Sequence, residues 1–352
     1  MAAPPETPPE APSEGEKLGV AIHGAGWVAA EYLKAFSRNP KVAVRVVSSR
    51  REESARARLA EAGIQADVET DYERVLRRKD VDVVAICTPS DRHAAEAIAG
   101  AQAGKHMVVE KPVAMDVESL RAMRDAVRRA GVKTVVGFVL RWHPYFRTIK
   151  ALIADGALGE IFLAETGYYS QIGPWYSGFE WARTRAQGGS NLLFAGCHAV
   201  DALRWFAGDV AEVSAFETRG HDAAWEYAPT IAATMKLASG GVAVLTSSFE
   251  VPVPYTFPVQ LHGTRGAFRD GRLFSKEKLP GQTDWMTVPT LALGNADVSF
   301  FPFGELVDHF VTCIQTGVES HCNLEDAAKS HEVCLAADRS AAEGGRPVKL
   351  PL

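Results

Sequence analysis

The sequence predicts an α/β protein in two parts. The first is a parallel sheet with helices on both faces; the second is an α+β domain with an open, mostly antiparallel sheet. Three observations predict this. From Leu18 to Leu140 short apolar runs alternate with stretches of helical spacing. The first of those runs enters a glycine-rich turn, Gly24-Ala25-Gly26-Trp27-Val28-Ala29. Beyond Leu140 the pattern changes to strands with few helices between them. The expected boundaries are a disordered tail over 1–17, a first domain over 18–140 and a second over 141–352.

Composition narrows the classes. The 352 residues are long enough for two buried cores. A formal charge of -5 carries no polyanion-binding signal, which disfavours nucleic acid. No apolar run approaches the length that crosses a bilayer. Five cysteines without paired short spacing read as free thiols in a reducing compartment, and they form no zinc pattern, so no metal site is expected. Met1–Lys17, rich in Pro, Ala and Glu, has neither the basic start nor the apolar core of a signal peptide. A cytoplasmic location is the default expectation.

Leu18–His23 is a buried strand by run length and β-branching, and Ala30–Ser37 has helical spacing. The turn between them is G-x-G-x-x-A in the setting of a Rossmann dinucleotide-binding domain. Gly24 permits the tight turn, Gly26 lets the backbone approach a pyrophosphate, and Ala29 allows close helix packing. Trp27 and Val28 belong to the same cofactor-facing turn. Val42–Val47 is the second strand. Where an NAD site carries an acid for the ribose 2′-hydroxyl, this chain has Ser48-Ser49-Arg50-Arg51. Two hydroxyls and two guanidinium groups suit a 2′-phosphate, so the cofactor is expected to be NAD(P), leaning to NADP; arginines stacked on adenine or facing solvent would leave NAD.

Val81–Cys87 is an apolar strand running into Thr88-Pro89-Ser90, a loop suited to pass along the cofactor's ribose or nicotinamide. His93 opens the next helix; it is counted among the residues around the cofactor, in a structural rather than a catalytic role. Lys105–Val109 is a further strand, ending abruptly at Glu110-Lys111-Pro112. Pro112 removes a backbone donor, so the strand stops and Lys111 stands at its carboxyl edge, where open α/β sheets bind ligands. A lysine there hydrogen-bonds a substrate hydroxyl and favours the developing alkoxide, with Glu110 as the partner that fixes the ammonium. Met115–Ala130 and Thr134–Leu140 complete the domain as helix and strand.

In the second domain Phe146–Ala154 reads as a helix, and Ile161–Tyr169, Val213–Phe216, Ile231–Leu237, Val242–Phe249 and Pro258–His262 as strands. Phe303–Thr316 and Leu324–Ala342 are closing helices. The chain resembles the glucose-fructose oxidoreductase / inositol dehydrogenase / rhizopine catabolism (Gfo/Idh/MocA) family. The residues that carry the likeness are Gly24-x-Gly26-x-x-Ala29, Ala103-Gly104-Lys105-His106-x-x-x-Glu110-Lys111-Pro112, Arg141-x-x-Pro144, and Gly188-Gly189 leading to Gly196-x-His198-x-x-Asp201. The ending Ala341-x-x-Gly344-x-x-Pro347-Val348-x-Leu350-Pro351 is similar too. The resemblance implies an NAD(P)-dependent dehydrogenase or reductase of sugars and cyclitols. It implies that His198 is the catalytic histidine beside Lys111, with Asp201 an orienting or structural residue that is counted among those on the substrate side. The open face of the antiparallel sheet is available to a partner subunit, so a homo-oligomer, dimer or tetramer, is expected.

Asn191–Phe206 reads as one helix with Phe194, His198, Asp201 and Trp205 on one face. The family usually has an aspartate where this chain has Phe194. An apolar ring there removes a polar relay and offers instead a surface for a sugar face or an aglycone. His143 and Tyr145, near Arg141, are candidates to replace the missing polar group. Tyr168, Trp175 and Arg183 lie in an aromatic and polar stretch that suits a carbohydrate's C–H patches and hydroxyls. Three functions stay open at this stage. The first is hydride transfer between the nicotinamide and a secondary alcohol or ketone of a sugar, glycoside or cyclitol. The second is glycoside cleavage through a transient keto-sugar with the cofactor recycled. The third is a cofactor-binding protein that has lost catalysis.

Overall fold

A computed structural model describes residues 17–220, 223–290, 293 and 301–352. The expected tail lies, apart from Lys17, outside the described residues. The chain forms two compact units, one built from the residues up to Val139 together with Val298–Ala328, the other from Leu140–Asp297 and Lys329–Leu352. The second domain, however, is not continuous, because Val298–Ala328 belongs to the first unit.

The first unit alternates strand and helix: β1 (Leu18–His23), α1 (Trp27–Arg38), β2 (Val42–Ser48), α2 (Glu52–Ala62), β3 (Asp67–Glu69), α3 (Tyr72–Leu76), β4 (Val83–Ile86), α4 (His93–Gln102), β5 (His106–Val109), α5 (Val117–Ala130) and β6 (Thr134–Val136). The six strands lie in the order β3-β2-β1-β4-β5-β6, all pairs parallel. β1, β4 and β5 are buried throughout, as strands covered on both faces must be. The chain order reverses between β1 and β4, which makes their carboxyl ends the ligand crevice of this sheet type. Thr134–Leu140, expected as one strand, is β6 followed by a 3-10 turn over Val139–Trp142.

The second unit contains α6 (Pro144–Ala154), β7 (Ile161–Tyr169), α7 (Phe179–Ala182), α8 (Cys197–Ala207), β8 (Val210–Thr218), β9 (Thr230–Leu237), β10 (Val242–Ser248), β11 (Val259–Gly263), β12 (Gly266–Arg269), β13 (Arg272–Ser275) and β14 (Met286–Thr287). The chain then returns to the first unit with α9 (Phe303–Thr316), which packs on α1 through an edge-on contact of Tyr32 with Phe303 and an Asn39–Asp308 hydrogen bond of 2.7 Å. Helix α10 (Leu324–Ala342) starts in the first unit and ends in the second, where β15 (Val348–Lys349) follows. The nine-stranded sheet has the order β14-β13-β12-β11-β7-β10-β9-β8-β15. Only β7 and β10 pair in parallel; all other neighbours are antiparallel. On β9 Ile231, Ala233, Met235 and Leu237 are buried while Ala232, Thr234 and Lys236 are exposed, the alternation of a sheet with one covered face. No helix among the described residues is long and apolar enough to cross a membrane.

Candidate active site

The glycine turn sits at the carboxyl end of β1. Gly24 has φ +111°, and a Cβ there would lie 2.4 Å from the carbonyl oxygen of Cys87, so only glycine fits. A Cβ on Gly26 would meet nothing within 4 Å. Gly26 is the N-cap of α1, makes no side-chain cap, and no acid stands in the first turn. The turn therefore offers unobstructed space beside helical N–H groups, which suits a pyrophosphate. Trp27 and Val28 lie within this first turn, and Trp27 is exposed. The helix thus begins three residues earlier than its spacing predicts.

The expected 2′-phosphate ligands divide. Ser48 is 1% exposed, and its hydroxyl lies 2.7 Å from Nδ1 of His23. It faces the interior of the first unit. Ser49 is half-buried and Arg50 exposed at the strand end. His23 belongs to a network that the sequence reading missed. Its Nε2 is 3.2 Å from Glu96 Oε1, its ring stacks on Tyr72 at 3.9 Å, and Glu96 in turn bonds Arg92 at 2.7 Å and the Thr88 hydroxyl. Burial opposes ionisation of Glu96, but His23, Thr88 and Arg92 together hold its carboxyl below the usual carboxylate range. The network braces Thr88 and Pro89, both half-buried at the exit of β4. A histidine ending a strand otherwise made of apolar residues was the available signal.

Lys111 stands just beyond β5, half-buried, in a cis peptide with Pro112. Glu110 is buried beneath it. Glu110 Oε2 accepts from the Lys111 backbone N–H at 3.2 Å, and Oε1 accepts from the Tyr32 hydroxyl at 2.7 Å. A Cβ on Gly137 would lie 2.3 Å from Oε1, so the absent side chain of Gly137 makes the room this carboxylate fills. Burial pushes the Glu110 carboxyl above the usual range, against the opposing pull of Lys111, Tyr32 and His93. Glu110 thus grips the main chain of Lys111, a detail the expected ammonium contact did not include. Tyr32 and Gly137 are supporting residues that no motif marks. His93 is 2% exposed, with Nδ1 2.7 Å from the Pro112 carbonyl oxygen and Nε2 2.8 Å from that of Thr88.

In the second unit the segment over 191–206 is not one regular helix. Leu192–Gly196 is a π-helical turn, and α8 begins at Cys197. A π turn is wider than an α turn, so the expected common face from Phe194 to Trp205 does not carry across it. His198 lies in the first turn of α8, 8% exposed. Phe194 is buried, ringed by Trp181 at 5.6 Å, Phe249 at 5.6 Å and Tyr176 at 6.0 Å. The ring expected to stack against a sugar face or an aglycone is packed among these aromatic side chains.

Other expected substrate ligands are also turned inward. Arg141 and Asp201 form a buried bidentate ion pair, Nε to Oδ2 at 2.8 Å and Nη2 to Oδ1 at 2.6 Å. The Ser330 hydroxyl also donates to Asp201 Oδ1 at 2.9 Å. This pair is architectural, because its donors and acceptors meet each other. His143 is buried and caps α6, its Nδ1 accepting from the Tyr145 N–H at 3.2 Å. Tyr168 is a core residue among Tyr255, Phe249 and Phe257, where burial pushes its hydroxyl up. The Arg183 guanidinium bonds Glu180 at 2.9 Å and the Ala224 carbonyl oxygen at 3.2 Å. Arg183 is half-buried, and Trp175 is the most open of this set, 66% exposed, with its indole N–H donating to the Gln171 carbonyl oxygen at 3.0 Å.

A parallel sheet with a glycine turn at its switch point, followed by a domain built on a large, mostly antiparallel sheet, defines a two-domain protein of the dinucleotide-binding class. The chain belongs to the Gfo/Idh/MocA oxidoreductase family: the family's NAD-binding Rossmann-fold domain matches residues 18–138 and its C-terminal domain residues 146–269. It is 26% identical over 333 residues to an inositol 2-dehydrogenase of Rhizobium meliloti, covering 91% of this chain and 96% of that protein. It is 29% identical over 326 residues to a 1,5-anhydro-D-fructose reductase of Ensifer adhaerens, covering 92% and 88%. A solved levoglucosan dehydrogenase, in complex with NADH and levoglucosan, shares the fold with a TM-score of 0.83 at 23% identity, covering 96% of this chain and all (100%) of that one.

Proposed function

We propose that this protein transfers hydride between bound NAD(P) and a secondary alcohol or ketone of a sugar, glycoside or cyclitol. The observation that carries the reading is the unobstructed glycine turn after β1 and the braced Lys111 after β5, both at the carboxyl edge of one parallel sheet. The relatives named for inositol, anhydrofructose and levoglucosan supply the substrate class. The turn from Gly24 to Val28 would hold the pyrophosphate, and Thr88 and Pro89 would flank the nicotinamide half. When bound, the nicotinamide supplies the hydride acceptor or donor. Lys111 donates a hydrogen bond to the substrate oxygen, and its charge favours the alkoxide that develops there. His198 is assigned the hydroxyl proton on the family motif.

Ser49, Arg50 and Arg51 carry no carboxylate that would repel a 2′-phosphate, which supports a lean to NADP without Ser48. The exposed face of the nine-stranded sheet is the surface we assign to self-association, and the chain's five buried free thiols fit a reducing, cytoplasmic setting.

Replacing Lys111 with Met tests the mechanism. Turnover with a responsive sugar or cyclitol should fall about 10³- to 10⁴-fold. Titration with NADH and NADPH should give affinities within about twofold of the unmodified protein, since only the hydroxyl contact is removed. Unchanged turnover would exclude Lys111 from the reaction, and a clear NADH preference would reverse the lean.

A further inference from the structure

His93 makes a contact at each ring nitrogen, and both are to backbone carbonyl oxygens. Nδ1 is 2.7 Å from the oxygen of Pro112, and Nε2 is 2.8 Å from that of Thr88. A carbonyl oxygen only accepts. A neutral imidazole has one N–H and one lone pair, so it satisfies one of these contacts and turns a lone pair on the other; the imidazolium has two N–H groups and satisfies both. The ring is 2% exposed, so water does not relieve the mismatch. A buried cation needs a counter-charge, and the Glu110 carboxyl at the end of β5 is the acid of this cluster: burial opposes its charge, while Lys111, Tyr32 and His93 favour it.

The other charged groups around it are accounted for. Lys111 adjoins Glu110 at the same strand end. On the side of its own helix, Glu96 and Arg92 pair with each other at 2.7 Å. Tyr32, from α1, reaches the cluster through its hydrogen bond to Glu110.

We propose that His93 is a positioning residue that acts as an imidazolium, tying the loop after β4 to the segment that presents Lys111. Its two N–H groups join the carbonyl oxygen of Thr88 to that of Pro112, the residue after Lys111. The Lys111 backbone is thereby held from both sides: Glu110 takes its N–H, and His93 takes the carbonyl oxygen one residue on. Losing one ring proton leaves a lone pair facing a carbonyl oxygen and releases one of the two straps. The effect on turnover rests on the role proposed for Lys111; the protonation state does not.

Two measurements on the full chain test this. In the first, the protein is labelled with ¹⁵N at its histidine ring nitrogens, and the His93 signals are identified by their loss in His93→Gln. Both nitrogens should appear in the protonated range at neutral pH; one unprotonated nitrogen would overturn the imidazolium, whether or not the protein is a dehydrogenase. In the second, His93→Gln should lower kcat about tenfold to a hundredfold, because a shift of about 1 Å at a reacting group costs that much, while the affinity for NADH stays within about twofold. An unchanged kcat, with Lys111→Met inactive as expected, would overturn the positioning role and leave the Lys111 assignment intact.

Discussion

Glu110 in the first unit and Asp201 in the second are both buried carboxylates, and they are held in opposite ways. Asp201 meets a guanidinium on both oxygens and a serine hydroxyl besides. Glu110 meets a tyrosine hydroxyl and a backbone N–H, both neutral donors, and its charge leans on the fields of Lys111 and His93. A carboxylate locked into a bidentate pair stabilises architecture. One whose compensation comes from the groups around a candidate catalytic lysine is tied to the state of that lysine. The contrast extends to the surroundings: the first unit exposes Gly26, Trp27 and Arg50 and leaves Lys111 half-buried beyond its strand, whereas the second folds Arg141, His143, Tyr168, Phe194 and Asp201 into its interior.

The largest expected effect is on the Arg141–Asp201 pair. Asp201→Asn leaves a buried guanidinium without its counter-charge and should cost about 3–5 kcal/mol in chemical denaturation. Glu110→Gln breaks no direct ion pair, though it takes the counter-charge from His93, and should cost less, about 1–2 kcal/mol, with its main effect on kcat. Equal losses of stability in the two variants would break the contrast. Next is Phe194→Asp, which installs the aspartate usual in the family. Because the site is an aromatic box of Tyr176, Trp181 and Phe249, the change should lower stability by about 3 kcal/mol or more and raise no activity. A gain in turnover from this variant would show that the box opens to substrate.

A pH effect, confined to the acid range, sharpens the comparison within the first unit, at the opposite end of β5 from Lys111. His106 is buried, its Nδ1 accepts from the Lys133 N–H at 3.0 Å, and burial together with the Lys133 charge lowers its pKa to about 4. A base with a depressed folded pKa contributes stability that is complete above its unfolded value, about 6.5, and is lost as pH falls towards 4. The loss should approach about 3 kcal/mol at pH 4, and His106→Asn should flatten that part of the urea-midpoint profile. A profile unchanged by the substitution would assign the acid sensitivity to other groups.

Much of the first unit was legible in the residues because its signals are local. A run such as Val83–Ile86 has to be a buried strand, Gly24 has to turn, and Pro112 has to stop β5 and leave Lys111 at its edge. The closing helices Phe303–Thr316 and Leu324–Ala342 were legible for the same reason, since helical spacing is a property of the segment itself. That Val298–Ala328 belongs to the first unit was not, because assignment to a unit depends on contacts between residues such as Asn39 and Asp308 that are far apart in the chain.

The sequence by itself determined the family, the alternation of the nucleotide domain, the glycine turn and the lysine at the strand end, all written in short spacings. Only the tertiary structure decided which polar side chains face inward. Ser48 against His23, Asp201 against Arg141 and Phe194 inside its aromatic ring each depend on a partner 25 or more residues away or on packing from several elements. Spacing along the chain states what a residue can reach locally. Burial and pairing are set by distant elements folding onto it, and those decide whether a polar group serves the site or the core.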